Sequence, residues 1–305
     1  MSSENPSWQL FAGSATGDTP APTGSAPTGP IRIASWNVNS VRARMPRLVA
    51  FLQRGDIDVL LVQETKVRSG AFPVGPIEAL GYEIAQHGLD QWNGVGIISR
   101  VGMQDVQFGF PGMPSWGEPA VQEARAITAR CAGIEVSSVY VPNGREIDHP
   151  HYHYKLAWLA ALREHTAARL LDEPLARMVI GGDFNIAPRD GDVWSMEFFE
   201  GRTHVTPPER EAFAALLETG LVDVVRPFTD APGTYTYWDY TQLRFPKNRG
   251  MRLDFLLASP TVANEVVDAR IDREERKGAG ASDHAPVIVT VDGTSGAGSA
   301  AGVQS

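Results

Sequence analysis

The chain contains a single cysteine, Cys131, among its 305 residues. One cysteine excludes an internal disulfide and a cysteine-based zinc or iron–sulfur site within one chain, and it fits a reducing compartment. No segment reaches the roughly 18 consecutive apolar residues that a membrane-spanning helix requires. The first stretch of the chain lacks the apolar core of a secretion signal. We therefore expect a cytoplasmic protein without a membrane partner.

The chain also has fewer basic residues than acidic ones. The chain has 27 lysines and arginines against 36 acidic residues, which gives a formal net charge of −9. An acidic average argues against non-specific binding of polyanions by the whole surface. Any binding of nucleic acid must therefore depend on local basic patches.

The two ends of the chain differ in composition from the rest. Residues 1–30 are rich in Ser, Thr, Pro, Gly and Ala, and residues 293–305 have a similar composition. Such segments bury too little apolar surface to offset the entropy lost on ordering. The sequence therefore predicts disordered tails at 1–30 and 293–305 around one domain at 31–292.

Short apolar runs rich in Val and Ile recur through this domain, with lengths typical of strands. They are IRIASW, DIDVLLVQ, VGIISR, AITARC, VSSVYV, RMVIGG, RLDFLLA and APVIVTV. Helical spacing of apolar residues occurs in RARMPRLVAFLQRG, in 154–171 and in 208–220. Strands mixed with helices indicate an α/β or α+β domain. So many strands favour two packed sheets with helices outside.

Polar side chains lie where several of these runs begin or end. They are Asn37, Glu64, Tyr140, Asn143, Asp183, Asn185, Asp283 and His284. Carboxylate and carboxamide oxygens are hard ligands that suit Mg²⁺ or Mn²⁺ rather than zinc. Taken singly, each of these residues also has an ordinary explanation as turn or capping chemistry. Asp254 is harder to explain in that way, because a carboxylate within the apolar run RLDFLLA needs a buried partner.

Two other features do not indicate a site. His149, His151 and His153 alternate in HPHYHYK, and in a strand they would share one face like metal ligands. Pro150 interrupts such a strand, and the segment leads into the helix predicted at 154–171, so we do not expect a metal there. Cys131 lies in an apolar run and is expected to be a small buried hydrophobic residue.

Several motifs together resemble the exonuclease III family of abasic-site endonucleases, within the endonuclease/exonuclease/phosphatase superfamily. They are SWNVNSVRAR, DVLLVQETK, WNGVGIISR, YVPNG, GGDFNIAP, YTYWDY, NRGMRLDFLLAS and SDHAPV. They follow the family order from Ile31 to about Val291. SWN, QET, GDFN and SDH specify only the superfamily, whereas YVPNG, the WDY segment and RLDFLL indicate the exonuclease III family, with the bacterial exodeoxyribonuclease III members closest.

The resemblance implies a four-layered α/β sandwich, in which two mixed sheets are flanked by helices and the active site lies at one end. It implies that Glu64 is the principal ligand of a Mg²⁺ ion, for which Mn²⁺ can substitute. Asn37 would help Glu64, and Asp283 would lie near the metal. Asp183 would orient or deprotonate the attacking water with the help of Asn185, and both are also candidate metal ligands.

The resemblance further implies that Tyr140 and Asn143 contact the target phosphate. His284 would donate to a phosphoryl oxygen and be held by Asp254, whose carboxylate would orient the imidazole and raise its pKa. The general base could be Asp183 or the phenol of Tyr140. A phenol needs a much larger fall in pKa, which favours Asp183.

Two local basic segments favour a role in nucleic-acid binding despite the acidic average. Residues 31–54 contain five arginines and no acid, and residues 244–252 contain three arginines and a lysine, again without an acid. The second segment follows aromatic residues, and cations interleaved with aromatics suit phosphate contact and stacking. A solubilising surface over core aromatics is the ordinary alternative. The resemblance implies an abasic pocket in this region, so Tyr237, Trp238 and Arg249 are the predicted substrate-binding residues.

The sequence thus predicts a Mg²⁺-dependent DNA repair nuclease that cleaves 5′ to abasic sites in duplex DNA and leaves a 3′-hydroxyl. The same site should act as a 3′-to-5′ exonuclease and remove 3′ phosphates, and the protein should act as a monomer on duplex DNA with abasic sites or blocked 3′ ends. Two alternatives remain open: a phosphoesterase acting on a lipid or inositol phosphate, and a catalytically silent DNA-binding member. The basic aromatic segments count against the first, and the intact set of Glu64, Asp183, Asn185 and His284 counts against the second.

Overall fold

The structure of the chain is a computed structural model that describes residues 29–293. The tails predicted at 1–30 and 293–305 therefore lie outside the described residues, apart from positions 29, 30 and 293. Among the described residues, no helix has both the length and the apolar character needed to cross a bilayer.

Twelve strands form the framework of the described domain. They are β1 (Ile31–Asn37), β2 (Val59–Gln63), β3 (Glu83–His87), β4 (Val95–Ser99), β5 (Gln104–Phe108), β6 (Ala126–Cys131), β7 (Ile134–Tyr140), β8 (Met178–Asp183), β9 (Val222–Asp223), β10 (Asp254–Ala258), β11 (Val266–Ile271) and β12 (Val287–Val291). Each of the eight apolar runs forms one of these strands, which confirms that part of the prediction.

The strands make two mixed six-stranded sheets. The order in the first sheet is β11-β12-β1-β2-β4-β3, and in the second it is β5-β6-β7-β8-β10-β9. Strands β1 and β2 run parallel, as do β7 and β8, and their neighbours run antiparallel. The predicted sandwich of two mixed sheets is confirmed.

Helices cover the outer faces of both sheets. Their bounds are α1 (Val41–Gly55), α2 (Gly75–Glu78), α3 (Pro150–Asp172), α4 (Met196–Phe199), α5 (Pro207–Leu217) and α6 (Pro260–Ala263). The helix predicted at 154–171 begins four residues earlier, because Pro150 suits the first turn, and the His149 side chain caps the helix by accepting from the His151 amide. Helix α1 packs on the first sheet, and α3 and α5 pack on the second.

The inner faces of the sheets pack against each other closely around Gly181. A Cβ atom at this position of β8 would lie 2.6 Å from both Leu61 Cδ1 and Leu256 Cδ2. Any side chain here would force the buried ends of Leu61 and Leu256 to move, since real Cβ contacts are longer than this. The glycine thus allows the close approach of the sheets two residues before Asp183.

Trp238 does not occupy the position that the sequence suggested. Its side chain is 0% exposed, its Nε1 donates to Asn248 Oδ1 at 3.1 Å, and its ring packs edge-on against Phe245 at 5.2 Å. The assignment of Trp238 to substrate binding is therefore wrong, because the indole has no surface to present to DNA.

We expect the Trp238→Ala substitution to lower the free energy of unfolding by about 3–5 kcal/mol, as for other large buried aromatics. Equilibrium denaturation measures this loss. Trp92→Ala is the matched control, because Trp92 is 70% exposed and its removal should change stability by less than about 0.5 kcal/mol. An unchanged unfolding midpoint for Trp238→Ala would contradict the core position.

Candidate active site

Polar side chains from both sheets meet at one end of the sandwich. Strands β1 and β2 end side by side, with Asn37 opposite Gln63, and Glu64 follows directly. In the second sheet, Asp183 at the end of β8 lies between Tyr140 of β7 and Asp254 of β10. Parallel neighbours deliver their final residues to the same edge, and antiparallel β10 brings its first residue there.

Asn37 joins the two halves of this site. Its Nδ2 donates to Glu64 Oε1 at 2.7 Å and to Asp183 Oδ2 at 3.0 Å. Its Oδ1 accepts from the Asn39 amide at 3.0 Å, which fixes the orientation of the carboxamide. A single buried carboxamide therefore links a carboxylate of the first sheet to one of the second.

Two residues to which the sequence assigned no role connect Glu64 with Asp283. The Lys66 ammonium lies 2.8 Å from Glu64 Oε2 and 2.6 Å from Asn39 Oδ1, and Asn39 Nδ2 donates to Asp283 Oδ1 at 3.0 Å. Burial opposes ionisation of Glu64, but Lys66 and the Asn37 amide hold its pKa below the usual range. Lys66 and Asn39 lie within motifs noted in the sequence, so their positions, though not their contacts, were visible.

Asp254, His284 and Asp183 form a buried line. His284 Nδ1 lies 2.8 Å from Asp254 Oδ2, and its Nε2 lies 3.8 Å from Asp183 Oδ2. Burial alone would lower the pKa of His284, but the Asp254 and Asp183 carboxylates outweigh it and raise the pKa to about 10. The imidazole is therefore cationic at neutral pH, with Nδ1 donating to Asp254 and Nε2 directed toward Asp183.

The pKa of Asp183 is also raised, but for a carboxyl group this shift favours the neutral form. Burial raises the pKa of Asp183 to about 7, against the attraction of the His284 cation. Its Oδ1 accepts from the Asn185 amide at 2.9 Å. A divalent cation beside this carboxylate would lower the pKa again, because an opposite charge favours the ionised form.

Tyr140, Asn143 and Asn185 lie on the side of the second sheet. Burial and the charge of Glu64 raise the pKa of Tyr140 well above its usual value, and the Arg125 guanidinium lies 4.8 Å from the centre of its ring. Asn143 Nδ2 donates to Asn185 Oδ1 at 3.1 Å, and Asn185 Nδ2 donates to the Val141 carbonyl at 3.0 Å. The phenol is thus neutral and the two carboxamides orient each other.

A cavity of about 150 Å³ opens between these groups. Its lining includes Glu64, Tyr140, Asn143, Asp183, Asn185, Asp283 and His284, together with His204, Tyr237, Met251 and Leu253. Asn37 and Asp254 are 0% exposed and lie behind it. Sequence reasoning assigned no role to three of the lining residues, His204, Met251 and Leu253, and of these only His204 lies outside the recognised motifs.

A second cavity of about 320 Å³ shares Tyr237 and Met251 with the first. The Tyr237 ring lies 4.9 Å from the His284 ring. Arg249 stacks on Trp194, with its guanidinium carbon 4.8 Å from the ring centre, and Arg244 lies between Trp194 and Phe198. Tyr237 and Arg249 therefore line the same pocket, whereas Trp194 and Phe198, which sequence reasoning missed, supply its aromatic faces. The aromatic-rich stretch VWSMEFF was the available signal.

The residues present fit a hard divalent cation. Ligand atoms of Glu64, Asp183 and His284 lie within 4.8 Å of one another and could hold a metal ion. A cationic His284 cannot ligate a metal, which leaves the carboxylate and carboxamide oxygens. The contact of the Lys66 ammonium with Glu64 shows that this carboxylate attracts positive charge. A donor set made of oxygen alone suits Mg²⁺ or Mn²⁺.

Comparison with known proteins finds relatives with the same fold. The chain is similar to the 3′ phosphatase NExo from Neisseria bound to a product DNA hairpin, with 35% identity, a TM-score of 0.81, and coverage of 86% of this chain and 99% of the other. The chain is also similar to an AP endonuclease from Archaeoglobus fulgidus, with 34% identity, a TM-score of 0.80, and coverage of 86% of this chain and 99% of the other. Exodeoxyribonuclease III of Haemophilus influenzae is 29% identical over 84% of this chain and 98% of its own length.

The motifs that carried the resemblance in the sequence therefore lie in a fold shared with these proteins. The family model described as Endonuclease/Exonuclease/phosphatase family matches residues 34–284. This range takes in the whole second sheet, most of the first sheet, and every residue of the candidate site from Asn37 to His284. The chain belongs to the endonuclease/exonuclease/phosphatase family.

Proposed function

We propose that this chain is a Mg²⁺-dependent DNA repair nuclease. It hydrolyses the phosphodiester 5′ to abasic sites in duplex DNA, leaves a 3′-hydroxyl, and trims 3′ ends as an exonuclease and 3′ phosphatase. The observation that carries the proposal is the line of Asp254, His284 and Asp183 facing Glu64 across one small cavity. This arrangement supplies a base, a cationic donor and a metal-binding carboxylate to a single phosphoryl group.

Asp183 is the proposed general base. Its Oδ1 is held by the Asn185 amide and its Oδ2 by Asn37, so that the carboxylate has a fixed direction toward the attacking water. A pKa raised by burial brings a carboxylate closer to neutral pH, where it accepts a proton more readily. The raised pKa of Tyr140 supports a role for its phenol as a hydrogen-bond donor to the phosphate rather than as the base.

His284 is the proposed donor to a phosphoryl oxygen. Asp254 accepts from Nδ1 and keeps the ring charged, which leaves the Nε2–H for the developing negative charge in the cavity. Preorganised donors of this kind stabilise a transition state more than water does, because they need no reorientation during the reaction. Asn143 would contact the same phosphate from the opposite sheet.

Glu64 is the proposed main metal ligand, with Asp183 and Asp283 lining the same cavity. Asn37 turns its amide nitrogen toward Glu64 and Asp183, so we assign it to holding these carboxylates rather than to the metal. The metal, when bound, neutralises charge on the non-bridging oxygens and assists departure of the 3′ oxygen. Both ends of the Asn185 carboxamide are engaged by Asn143 and Val141. We therefore assign Asn185 to orientation of the water rather than to the metal.

DNA is favoured over an inositol or lipid phosphate by the second cavity. Arg244 and Arg249 stack on the rings of Trp194 and Phe198 beside the catalytic groups, which suits phosphates joined to an extruded sugar or base. The named activities of the similar proteins, on DNA 3′ ends and abasic sites, support the same choice. Because one chain supplies the whole site, we propose that the protein acts as a monomer. We also propose that it acts in the bacterial cytoplasm.

The test compares three substrates with and without Mg²⁺: a duplex with one abasic analogue, a nicked duplex with a 3′ phosphate, and an inositol phosphate. We expect both DNA substrates to be processed, excess EDTA to abolish turnover, and Mg²⁺ or Mn²⁺ to restore it, because the site has only hard ligands. Full activity in EDTA would contradict the role of Glu64. Turnover of the inositol phosphate alone would contradict the DNA assignment.

A further inference from the structure

A buried ion pair joins helices α3 and α5 behind the site. Lys155 Nζ lies 2.5 Å from Glu209 Oε1, and both side chains are 0% exposed. Such a pair adds little net stability, because the cost of removing two charges from water offsets their attraction. Its remaining hydrogen bonds therefore need an explanation.

The other donors of the Lys155 ammonium reach the backbone of the two site asparagines. Nζ donates to the Asn185 carbonyl at 2.6 Å and to the Asn143 carbonyl at 3.2 Å. These residues follow different strands, β7 and β8, and their side chains join at 3.1 Å. One ammonium group thus holds both loops in a common position.

The backbone that it holds is an unfavourable one. Asn185 has a φ of 52°, in the left-handed region, which asparagine adopts more readily than most residues but still less easily than glycine. A second donor, His204 Nδ1, lies 2.6 Å from the same carbonyl, and burial lowers the pKa of His204 to about 4, so its ring is neutral. Conformations of this kind persist only where surrounding contacts hold them.

Glu209 is itself fixed on several sides. It accepts from the Thr203 hydroxyl at 2.6 Å, the His204 amide at 2.9 Å and the Thr206 hydroxyl at 2.7 Å. A carboxylate with this many donors cannot shift without losing them. It holds the Lys155 ammonium at one point between the two loops.

We propose that Lys155 is a positioning residue, which Glu209 holds in place and which sets the Asn143 and Asn185 amides for catalysis. The inference rests on the proposed hydrolytic function of the same site. Lys155 touches the carbonyl groups of the two asparagines and not the cavity, so its removal should misplace groups that act in the transition state while leaving the DNA-binding surface intact.

The first test is Lys155→Met, which keeps the length of the side chain and removes its donors. On the 3′-phosphate duplex we expect kcat to fall about a hundredfold, as a misplacement of about 1 Å can cause, with KM changed less than about threefold. The melting temperature should also fall, by roughly 10 °C, because Glu209 is left as a buried unpaired charge.

The double variant Lys155→Met with Glu209→Gln separates the effect on the position of the two asparagines from the effect on the stability of the fold. It removes the unpaired charge, so we expect much of the melting temperature to return while kcat stays low. The matched control is Glu265→Gln, which breaks the Arg177–Glu265 pair beside the start of β8. This control should lose some stability and keep its kcat.

Recovery of kcat together with stability in the double variant would overturn the proposal and leave a structural role only. A folded Lys155→Met enzyme with a kcat within about threefold of the wild type would also overturn it, since misplacement should cost far more. The proposed function fails separately, if the wild type itself does not process the DNA substrates.

Discussion

Asp183→Asn should keep the fold and lose at least about three orders of magnitude in the cleavage rate. The carboxamide oxygen can still accept from the Asn185 amide, whereas its NH2 group replaces the oxygen that accepts from Asn37, so one hydrogen bond is lost and the fold is kept. The carboxamide cannot take a proton from water, and it carries no charge to orient the attacking molecule. Single-turnover cleavage of the abasic duplex measures the loss.

The affinity of the same variant for DNA should not fall with the cleavage rate. Asp183→Asn removes a negative charge beside the phosphate, so DNA affinity should be kept or increased, as fluorescence anisotropy would record. Asp58→Asn is a suitable control, because Asp58 precedes β2 at the far end of the strands and pairs with Arg100 there. A rate for Asp183→Asn within about tenfold of the wild type would transfer the role of the base to Tyr140.

Asp254→Asn should lower the cleavage rate by about two to three orders of magnitude at pH 8. Without this carboxylate the largest contribution that raises the pKa of His284 is lost, so burial lowers the pKa and less of the cationic donor is present at pH 8. Lower pH should restore part of the charge. The ratio of wild-type to variant rate should therefore shrink between pH 8 and pH 6, and a ratio independent of pH would count against this role.

The pair of Asp254 and His284 also makes the stability of the folded protein depend on pH. Because the folded protein raises the pKa of His284 from 6.5 to about 10, its contribution is fully present below the unfolded pKa and is lost as pH rises through about 10. Asp254→Asn should remove this dependence. Denaturation midpoints of the two proteins should thus differ most below about pH 6.5, approach each other as the pH rises, and converge above pH 10.

The strands that the sequence indicated are the inner strands of both sheets, and the four it missed are the four edges. Strand β5 is exposed along its whole length, β9 has two residues, β3 has no fully buried residue and β11 contains an irregularity of register. An apolar run arises where a strand is buried on both faces. Edge strands face solvent and therefore lack this signal.

The sequence predicted which types of residue form the site, but it predicted less well which other residues contact them. Asp254 needed a buried partner on grounds of charge alone, and His284 is that partner. The contacts of Lys66 and His204 depend on how loops from separate strands meet, which no local pattern reports. Tyr237 and Trp238 are adjacent and point to opposite sides, and the sequence does not say which of them faces the cavity.

The bridge that Asn37 makes between Glu64 and Asp183 has a consequence for the folding of this enzyme. Each sheet on its own carries only part of the chemistry: one has Glu64 and His284, and the other has Asp183 and Asp254. We therefore expect a partly folded chain with the sheets apart to have no nuclease activity. During refolding, nuclease activity should appear together with the docking of the sheets around Gly181 and at no earlier stage.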